Sequence, residues 1–383
     1  RYFFKTDARE AVLLGLTCAL TNHILFVLPI TITLFGEDAA APIIAIILTL
    51  ISGLVIFSLF GKNPVTALYT FFVMPLTTVY SLTELLVKAT PLILIGVGLS
   101  IGFRANVWNI GAEGQLTLGA IFGGGLAIWF HDSESIFLLP AMIIFGAVGG
   151  MLYGAIPAFL RTRYGVNEIL TSLMLTYVAT LLLSFLVTGP WRDPGGYNFP
   201  ESRTFSEAGM MPIILEESRL HFGSILALFA VIGGWVLMGK SLIGFQLKVV
   251  GLAPSAAKHV GFIENKLIWF SLLVGGGLAG IAGVSEVAGP IGQLLPSVSP
   301  GYGFTAIIVA FLGRLHPVGV VFAGLVMALT YIGGETAQIE IGTPAAVTGL
   351  FQGILLFFLL ASDVLTSYRV RFGKPQAARG GAS

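Results

Sequence analysis

Two stretches of this sequence carry residue types at spacings that could do chemistry. The first is Gly234-Trp-Val-Leu-Met-Gly239-Lys240-Ser241, which fits a phosphate-binding loop letter for letter. That chemistry needs a glycine-rich turn between a strand and a helix, so that backbone amides can wrap a phosphate. Here the pattern closes a long apolar run. It reads as the end of a membrane helix, with Lys240 marking where the helix reaches water. Gly96-x-Gly98 also lies inside an apolar run and reads as helix packing rather than dinucleotide binding. There is no His-Glu-x-x-His zinc pattern, and a membrane-embedded enzyme is a remote reading.

The second stretch is Arg104-Ala-Asn-Val-Trp-Asn-Ile-Gly-Ala-Glu-Gly-Gln115, polar and glycine-containing between two apolar runs. Asn109 can cap the helix that follows by accepting from free backbone amides. Gly111 and Gly114 permit a break or a tight contact. Glu113 and Gln115 are costly against lipid and must face protein or water. Two readings stand: a short cytoplasmic turn with a capped helix, or a discontinuous helix beside a transport pathway. On the second, Asn106, Trp108, Asn109, Glu113 and Gln115 line the pathway, and Phe304 joins Trp108 as a ring on which an aromatic cargo could stack. A second polar and glycine-rich cluster, Glu286 to Tyr302, contains Gly289-Pro-Ile-Gly-Gln-Leu294. This echoes Gly111-Ala-Glu-Gly-Gln-Leu116 and points to an internal repeat.

A third stretch looks built for docking. In the basic segment Lys240–Lys266, Pro254 suits the first turn of a short helix over Pro254–Val260. Its side chains are small at Ser255, Ala256 and Ala257 and basic at Lys258 and His259, with Gly251 and Gly261 on either side. It reads either as a solvated turn between two spans or as a docking element for a cytoplasmic partner.

The elements that must position these residues follow from composition. Of 383 residues, 56% are hydrophobic and only 10% charged, with a mean hydropathy of +0.92. Soluble domains carry about 25% charged residues, so lipid is the solvent for this exterior. A net charge of +1 gives no electrostatic case for nucleic acid. Cys18, the single cysteine, rules out an internal disulfide and a multi-thiol metal site. Forty-nine glycines suit membrane helices that approach closely.

The fold class is therefore all-α: a polytopic integral membrane protein of about ten transmembrane helices, some broken or re-entrant. Runs of the required length, about 20 residues, lie near 11–35, 42–60, 85–103, 113–130 and 138–160. Others lie near 169–188, 223–239, 267–285, 317–336 and 345–361. Ala67–Tyr80, interrupted by Pro75, and Phe304–Leu312 are too short to assign as full spans.

Lysine and arginine favour the cytoplasmic side. The basic segments Arg161–Arg163, Lys240–Lys266 and the tail Arg369–Arg379 are placed inside, and the acidic loop 189–222 outside. The N-terminus lies inside if Ala67–Tyr80 crosses fully and outside if it only re-enters. Residues 11–35 also admit a signal-peptide reading, with Ala39–Ala41 as the cleavage site. Three regions result: an arm with an extra span at 1–41, a permease domain at 42–363, and a basic cytoplasmic tail at 364–383.

Asn109–Gln115, with Lys88-Ala-Thr-Pro-Leu92 and Gly102-Phe-Arg-Ala105 before it, resembles the permease subunits of bacterial ABC importers. The match is to the nucleoside-type, basic-membrane-protein-associated group within the branched-chain amino acid and ribose permease family. Gly303–Pro317, Phe351–Asp363 and Val249–Ala257 are similar to it as well. The resemblance runs from about Pro42 to about Asp363.

It implies an importer of nucleosides or related small polar solutes in the bacterial cytoplasmic (inner) membrane. Two ATPase subunits would bind the ATP, so the chain itself carries no cofactor. A second homologous permease would complete the pore, and an extracytoplasmic lipoprotein would deliver substrate. Gly251, Pro254, Ser255, Ala256, Ala257 and Lys258 would form the ATPase-facing coupling element. The alternatives are a sugar or branched-chain amino acid permease of the same kind, or an ion-coupled transporter using Glu113, Glu286 and Glu335.

Overall fold

In the computed structural model residues 40–367 are described, and apart from two isolated bridges their regular structure is helical. Thirteen α-helices follow in order. They are α1 Ala40–Leu59, α2 Pro64–Leu68, α3 Val79–Arg104, α4 Ala112–Trp129, α5 Leu138–Tyr164, α6 Glu168–Thr188 and α7 Gly223–Lys240. Then come α8 Leu242–Leu252, α9 Pro254–Val260, α10 Glu264–Glu286, α11 Tyr302–Leu312, α12 Pro317–Ile341 and α13 Ala346–Ser367. The expected span at 11–35, Cys18, Ala39 of the candidate cleavage site Ala39–Ala41 and the basic tail from Arg369 lie outside the described residues, and Ala40 and Ala41 open α1.

The chain divides into two units, one from Phe57 to Gln352 and a second whose described part is 40–56 and 353–367. The first contains both polar clusters and the basic segment.

Seven of the described helices are long and apolar enough to cross a membrane. α4 carries Glu113 and Gln115 in its first turn and falls outside that set, and α13 is apolar over Ala346–Ser362. Ala67–Tyr80 is not one element. α2 passes into a π turn at Tyr69–Val73 and a 3-10 turn at Met74–Leu76, and Pro75 ends the run. Thr78 then starts α3 by accepting from the Ser81 amide, six residues ahead of the expected apolar run. The run Pro64–Leu76 is apolar but shorter than the seven spanning helices.

α3 is the central helix, buried almost continuously from Thr83 to Phe103, and α10, α11 and α12 all pack on it. Lipid supplies no hydrophobic force between helices, so tight van der Waals contact between backbones must hold the bundle together. The glycines provide that contact. On α10, Gly276 and Gly280 face Gly150 and Gly146 of α5. A Cβ added at Gly150 would lie 2.1 Å from the Gly276 carbonyl, and one at Gly280 would lie 2.1 Å from that of Gly146. Gly119 of α4 meets Gly280 at 2.3 Å, and Gly98 of α3 meets Gly275 at 3.0 Å in the same sense. α10 is thus the seam on which α3, α4 and α5 converge.

The ends of α5 separate the two faces of the bundle. At its start, Met142 lies under Gly209 of loop 189–222. That loop is stitched to the segment after α10 by Phe205 N–H to Gly292 O at 2.8 Å and Met211 N–H to Ala288 O at 2.7 Å. At its end, Thr162 accepts from Trp269 Nε1 at 3.1 Å. Arg161–Arg163 and the basic segment 240–266 therefore share one end, and loop 189–222 lies at the other.

Candidate functional site

The break between α3 and α4 is a built structure. α3 stops at Arg104, and Asn106 takes the left-handed conformation (φ 56°) that asparagine tolerates better than most side chains. The next amides would be unpaired in a membrane interior, and side chains of α6 take them. Trp108 N–H donates to Glu168 Oε1 at 3.2 Å, and Ile110 N–H donates to Ser172 Oγ at 3.2 Å. Glu168 is itself held in an ion pair by Arg161. The third amide, of Gly111, goes to Asn109 Oδ1 at 3.2 Å. Asn109 thus closes a turn ahead of α4, whose N-cap is Gly111, and does not cap the helix as expected. Gly111 has no room for a side chain, because a Cβ there would come within 2.6 Å of the Ser172 carbonyl.

The six expected pathway residues come together in one region, yet they face different neighbours. Asn109 Nδ2 donates to Gln115 Oε1 at 2.8 Å, and Gln115 Nε2 returns a bond to Asn109 Oδ1 at 3.3 Å. This buried pair lies against Gly275 of α10 and Gly154 of α5, so it serves helix packing. Asn106 is exposed and accepts from Trp108 Nε1 at 2.8 Å. The Trp108 ring stacks at 5.9 Å on Phe311 of α11 and lies 5.1 Å from Phe103. Phe304 is partly exposed on the first turn of α11. Glu113 alone turns to the start of α11, where its Oε2 accepts from Gly303 N–H at 2.6 Å.

α11, eleven residues long, is a half-helix that begins against the first turn of α4. The sequence marks it as too short to span, with Phe304 as a candidate stacking ring and Gly303–Pro317 as a segment that resembles the permease family. Its first polar side chain opens a cluster that sequence reasoning missed. Thr305 Oγ1 and Tyr331 Oη lie 2.8 Å apart, and Thr305 Oγ1 also donates to Gln352 Oε1 at 3.4 Å. Gln352 Nε2 donates to Thr330 Oγ1 at 3.2 Å. Tyr302 packs edge-on against Tyr331 at 5.5 Å, with its hydroxyl buried and without a partner. Thr305 and Gln352 each sit among apolar neighbours, and Thr330 and Tyr331 are adjacent on α12. The signals were Thr305 and Gln352, each inside a segment singled out by resemblance, and Tyr302 at the end of the second polar cluster. A cavity of about 280 Å³ opens beside the cluster, bounded by Pro300, Tyr331, Glu335, Gln338, Thr348 and Gln352.

Charged groups flank the cluster in pairs. Lys88 and Glu335 are 3.4 Å apart, and Arg219 of loop 189–222 is paired with Glu84, with its Nε donating to Oε1 at 2.9 Å. Glu286 is buried at the end of α10. In the same loop His221 is packed against Gly223 and Gly289, and its Nδ1 accepts from Gly223 N–H at 3.1 Å. Burial pushes this imidazole down to about 4, so it is neutral at physiological pH.

At the other end, α9 covers Pro254–Val260, with the bounds read from the sequence. Pro254, Ser255, Ala256 and Lys258 are exposed, which a docking surface requires. Ala257 is not. It is 2% exposed and belongs to a buried apolar cluster with Ala105, Val107 and Leu247. Gly251 is also a packing residue, since a Cβ there would come within 1.9 Å of the Arg104 carbonyl. These two residues seat the α8–α9 element on the segment that leads into the α3–α4 break, and the exposed four face outward.

Two motif matches resolve as helix interior. Gly234–Lys240 lies within α7, so no loop is there to wrap phosphate. Gly98-Leu-Ser-Ile-Gly102 has the spacing of a nucleophile elbow, a pattern that the motif reading wrongly takes to be missing, but it sits in mid-α3, where Ser100 Oγ donates to Gly96 O at 2.7 Å. Among the described residues no group of three or more His, Cys, Asp or Glu could hold a metal ion.

The family model of the branched-chain amino acid transport system / permease component matches residues 81–360. The glucose ABC transporter permease protein TsgB13 of Haloferax volcanii is 38% identical over 339 residues, 86% of this chain and 89% of that protein. The guanosine ABC transporter permease protein NupP of Bacillus subtilis is 31% identical, covering 89% of this chain and 97% of its own length. The nucleoside ABC transporter permease protein NupB of Lactococcus lactis is 27% identical, covering 85% and 91%.

Proposed function

This chain belongs to the permease-component family of branched-chain amino acid transport systems, and from that premise we propose that it is a pore-forming subunit of an ATP-driven importer. Residues 42–363 form the transmembrane permease domain and 364–383 a basic cytoplasmic tail. Segment 240–266 faces the cytoplasm and loop 189–222 faces outward, across the cytoplasmic membrane. Two ATPase subunits dock inside and hydrolyse the ATP, a second homologous permease completes the pore, and a binding lipoprotein meets the outer loop.

The observation that carries this reading is the α8–α9 element. Its outer face, Pro254, Ser255, Ala256 and Lys258, is exposed, while its inner face is fixed by Gly251 and Ala257 to residues 104–107. Force applied to α9 from the cytoplasm would reach the α3–α4 break through that contact. From the break it would reach α11 through Glu113. An ion-coupled transporter working alone would need no such docking helix.

The cargo we propose is a nucleoside or a related small polar solute, supported by the guanosine and nucleoside permeases among the relatives. A sugar is the second reading, and the 38% identity to a glucose permease favours it. Uptake by vesicles containing the whole complex, with labelled guanosine, glucose and leucine supplied in turn, tests both. Accumulation that needs internal ATP supports an importer, and the solute accumulated names the class.

A further inference from the structure

We propose that the cavity bounded by Pro300, Tyr331, Gln338 and Gln352 is where this subunit contacts its cargo, and that the site accepts uncharged polyhydroxy solutes and rejects anions. This rests on the permease reading and deepens it.

The argument begins at the start of α11. In transporters built on discontinuous helices, the free amides at a half-helix N-terminus hold the anionic group of the substrate. Pro300 brings the cavity to the edge of such an N-terminus. Here, however, the protein's own side chains take those donors. Gly301 N–H and Tyr302 N–H both donate to Ser299 Oγ, at 3.1 Å and 2.9 Å. Gly303 N–H donates to Glu113 Oε2 at 2.6 Å. The first amides of the half-helix are closed to a phosphate or carboxylate, and an acidic side chain stands where that group would lie.

The charges nearby point the same way. Glu335 lines the cavity, and Glu84, Glu113 and Glu286 lie around the polar cluster. The two cations of this region are already matched, Lys88 to Glu335 and Arg219 to Glu84. No cation lines the cavity. What it offers instead is neutral donors and acceptors: the Tyr331 hydroxyl, the Gln338 and Gln352 amides and the Thr348 hydroxyl. Thr305 and Thr330 hold Tyr331 and Gln352 from behind. Hydroxyls and carboxamides that both donate and accept suit the hydroxyls of a sugar or a ribose.

The test is site-directed protection in vesicles that carry the assembled transporter. Cys18→Ala removes the native thiol, and Ala345→Cys places one on the cavity wall at a position that offers no polar group to the cargo. The rate of labelling by N-ethylmaleimide is measured with guanosine, glucose, guanosine 5′-monophosphate, glucose 6-phosphate or leucine present. At least one uncharged solute should slow labelling about threefold or more, with its phosphorylated form and leucine without effect. Equal protection by a phosphorylated form or by leucine overturns the proposal, as does no protection by either uncharged solute.

Ser299→Ala in the same background frees the Gly301 and Tyr302 amides, and inorganic phosphate should then begin to protect. A purified, transport-competent Ser299→Ala protein that phosphate does not protect contradicts the closed-donor argument. Uptake by the same vesicles keeps the two readings apart. ATP-independent accumulation would strike at the importer, whereas a wrong protection pattern with intact ATP-driven uptake strikes at the site alone.

Discussion

The Gly303 amide donates to the Glu113 carboxylate at 2.6 Å, joining positions 190 residues apart. One bond thereby ties the first turn of α4 to the first turn of α11, and both helices begin inside the bundle. Irregular backbone is tolerated at such depth only where its polar groups are satisfied. Glu113 supplies that satisfaction for α11, as Glu168, Ser172 and Asn109 supply it for the α3–α4 break.

Glu113→Leu should therefore damage transport more than assembly. It leaves the Gly303 donor buried and unpaired, at a cost of about 1–3 kcal/mol. Uptake per folded protein is expected to drop by roughly ten- to a hundredfold, since that energy enters an equilibrium constant exponentially. Glu113→Gln keeps an acceptor oxygen and should retain most activity. Uptake normalised to membrane content separates the two variants. Equal loss in both would mean that the negative charge matters and the hydrogen bond does not.

Gly150→Ala should destabilise the bundle, because the new methyl would meet the Gly276 carbonyl at 2.1 Å. Overpacking of this kind costs about 1–3 kcal/mol. Gly233→Ala, with nothing within 4 Å, is the matched control. Thermal unfolding in detergent should show a lower midpoint for the first and none for the second.

Bulk on α9 should act according to the face that receives it. Ala256 is exposed, so Ala256→Trp should fold normally and lose ATPase co-purification or stimulated hydrolysis. Ala257 lies in the buried cluster with Ala105 and Val107, so Ala257→Trp should lower the yield of folded protein. Normal yield of Ala257→Trp together with lost ATPase binding would reverse this assignment.

Much of this architecture was legible in the sequence where the signal is local. Length and polarity marked the spans, and Pro254 with Gly261 bounded α9 to the residue. The break at Arg104–Gln115 showed itself because polar residues interrupt apolar runs. Non-local facts were hidden. Nothing near Glu113 names Gly303 as its partner, and nothing in Ser255–Ala257 says that only Ala257 turns inward. Asn109 and Gln115 read as pathway residues because both are polar, but polarity does not reveal that they satisfy each other. Thr305 and Gln352 stood out only as parts of resembling segments, and Tyr331 not at all, because a hydroxyl or amide in an apolar helix is ordinary until its neighbours are known.

The packing of loop 189–222 should loosen in mild acid. Folded His221 is held at about 4, below its ordinary value near 6.5, because burial disfavours the charged ring. The unfolded state then binds the proton more readily, so stability is complete above about pH 6.5. It falls as pH drops towards 4, by on the order of 3 kcal/mol in total. Unfolding midpoints at pH 7.5 and pH 5 should differ for the native protein and differ less for His221→Gln. An equal drop in both would assign the acid sensitivity to other groups.

The most direct measurement is uptake by right-side-out vesicles that carry this chain with its partner subunits, loaded either with ATP or with a non-hydrolysable analogue. The account predicts accumulation of labelled guanosine or glucose only with ATP inside. It also predicts loss of that accumulation in Ala256→Trp at normal membrane content. Accumulation that persists with the analogue, or that follows an imposed proton or sodium gradient instead, would contradict it.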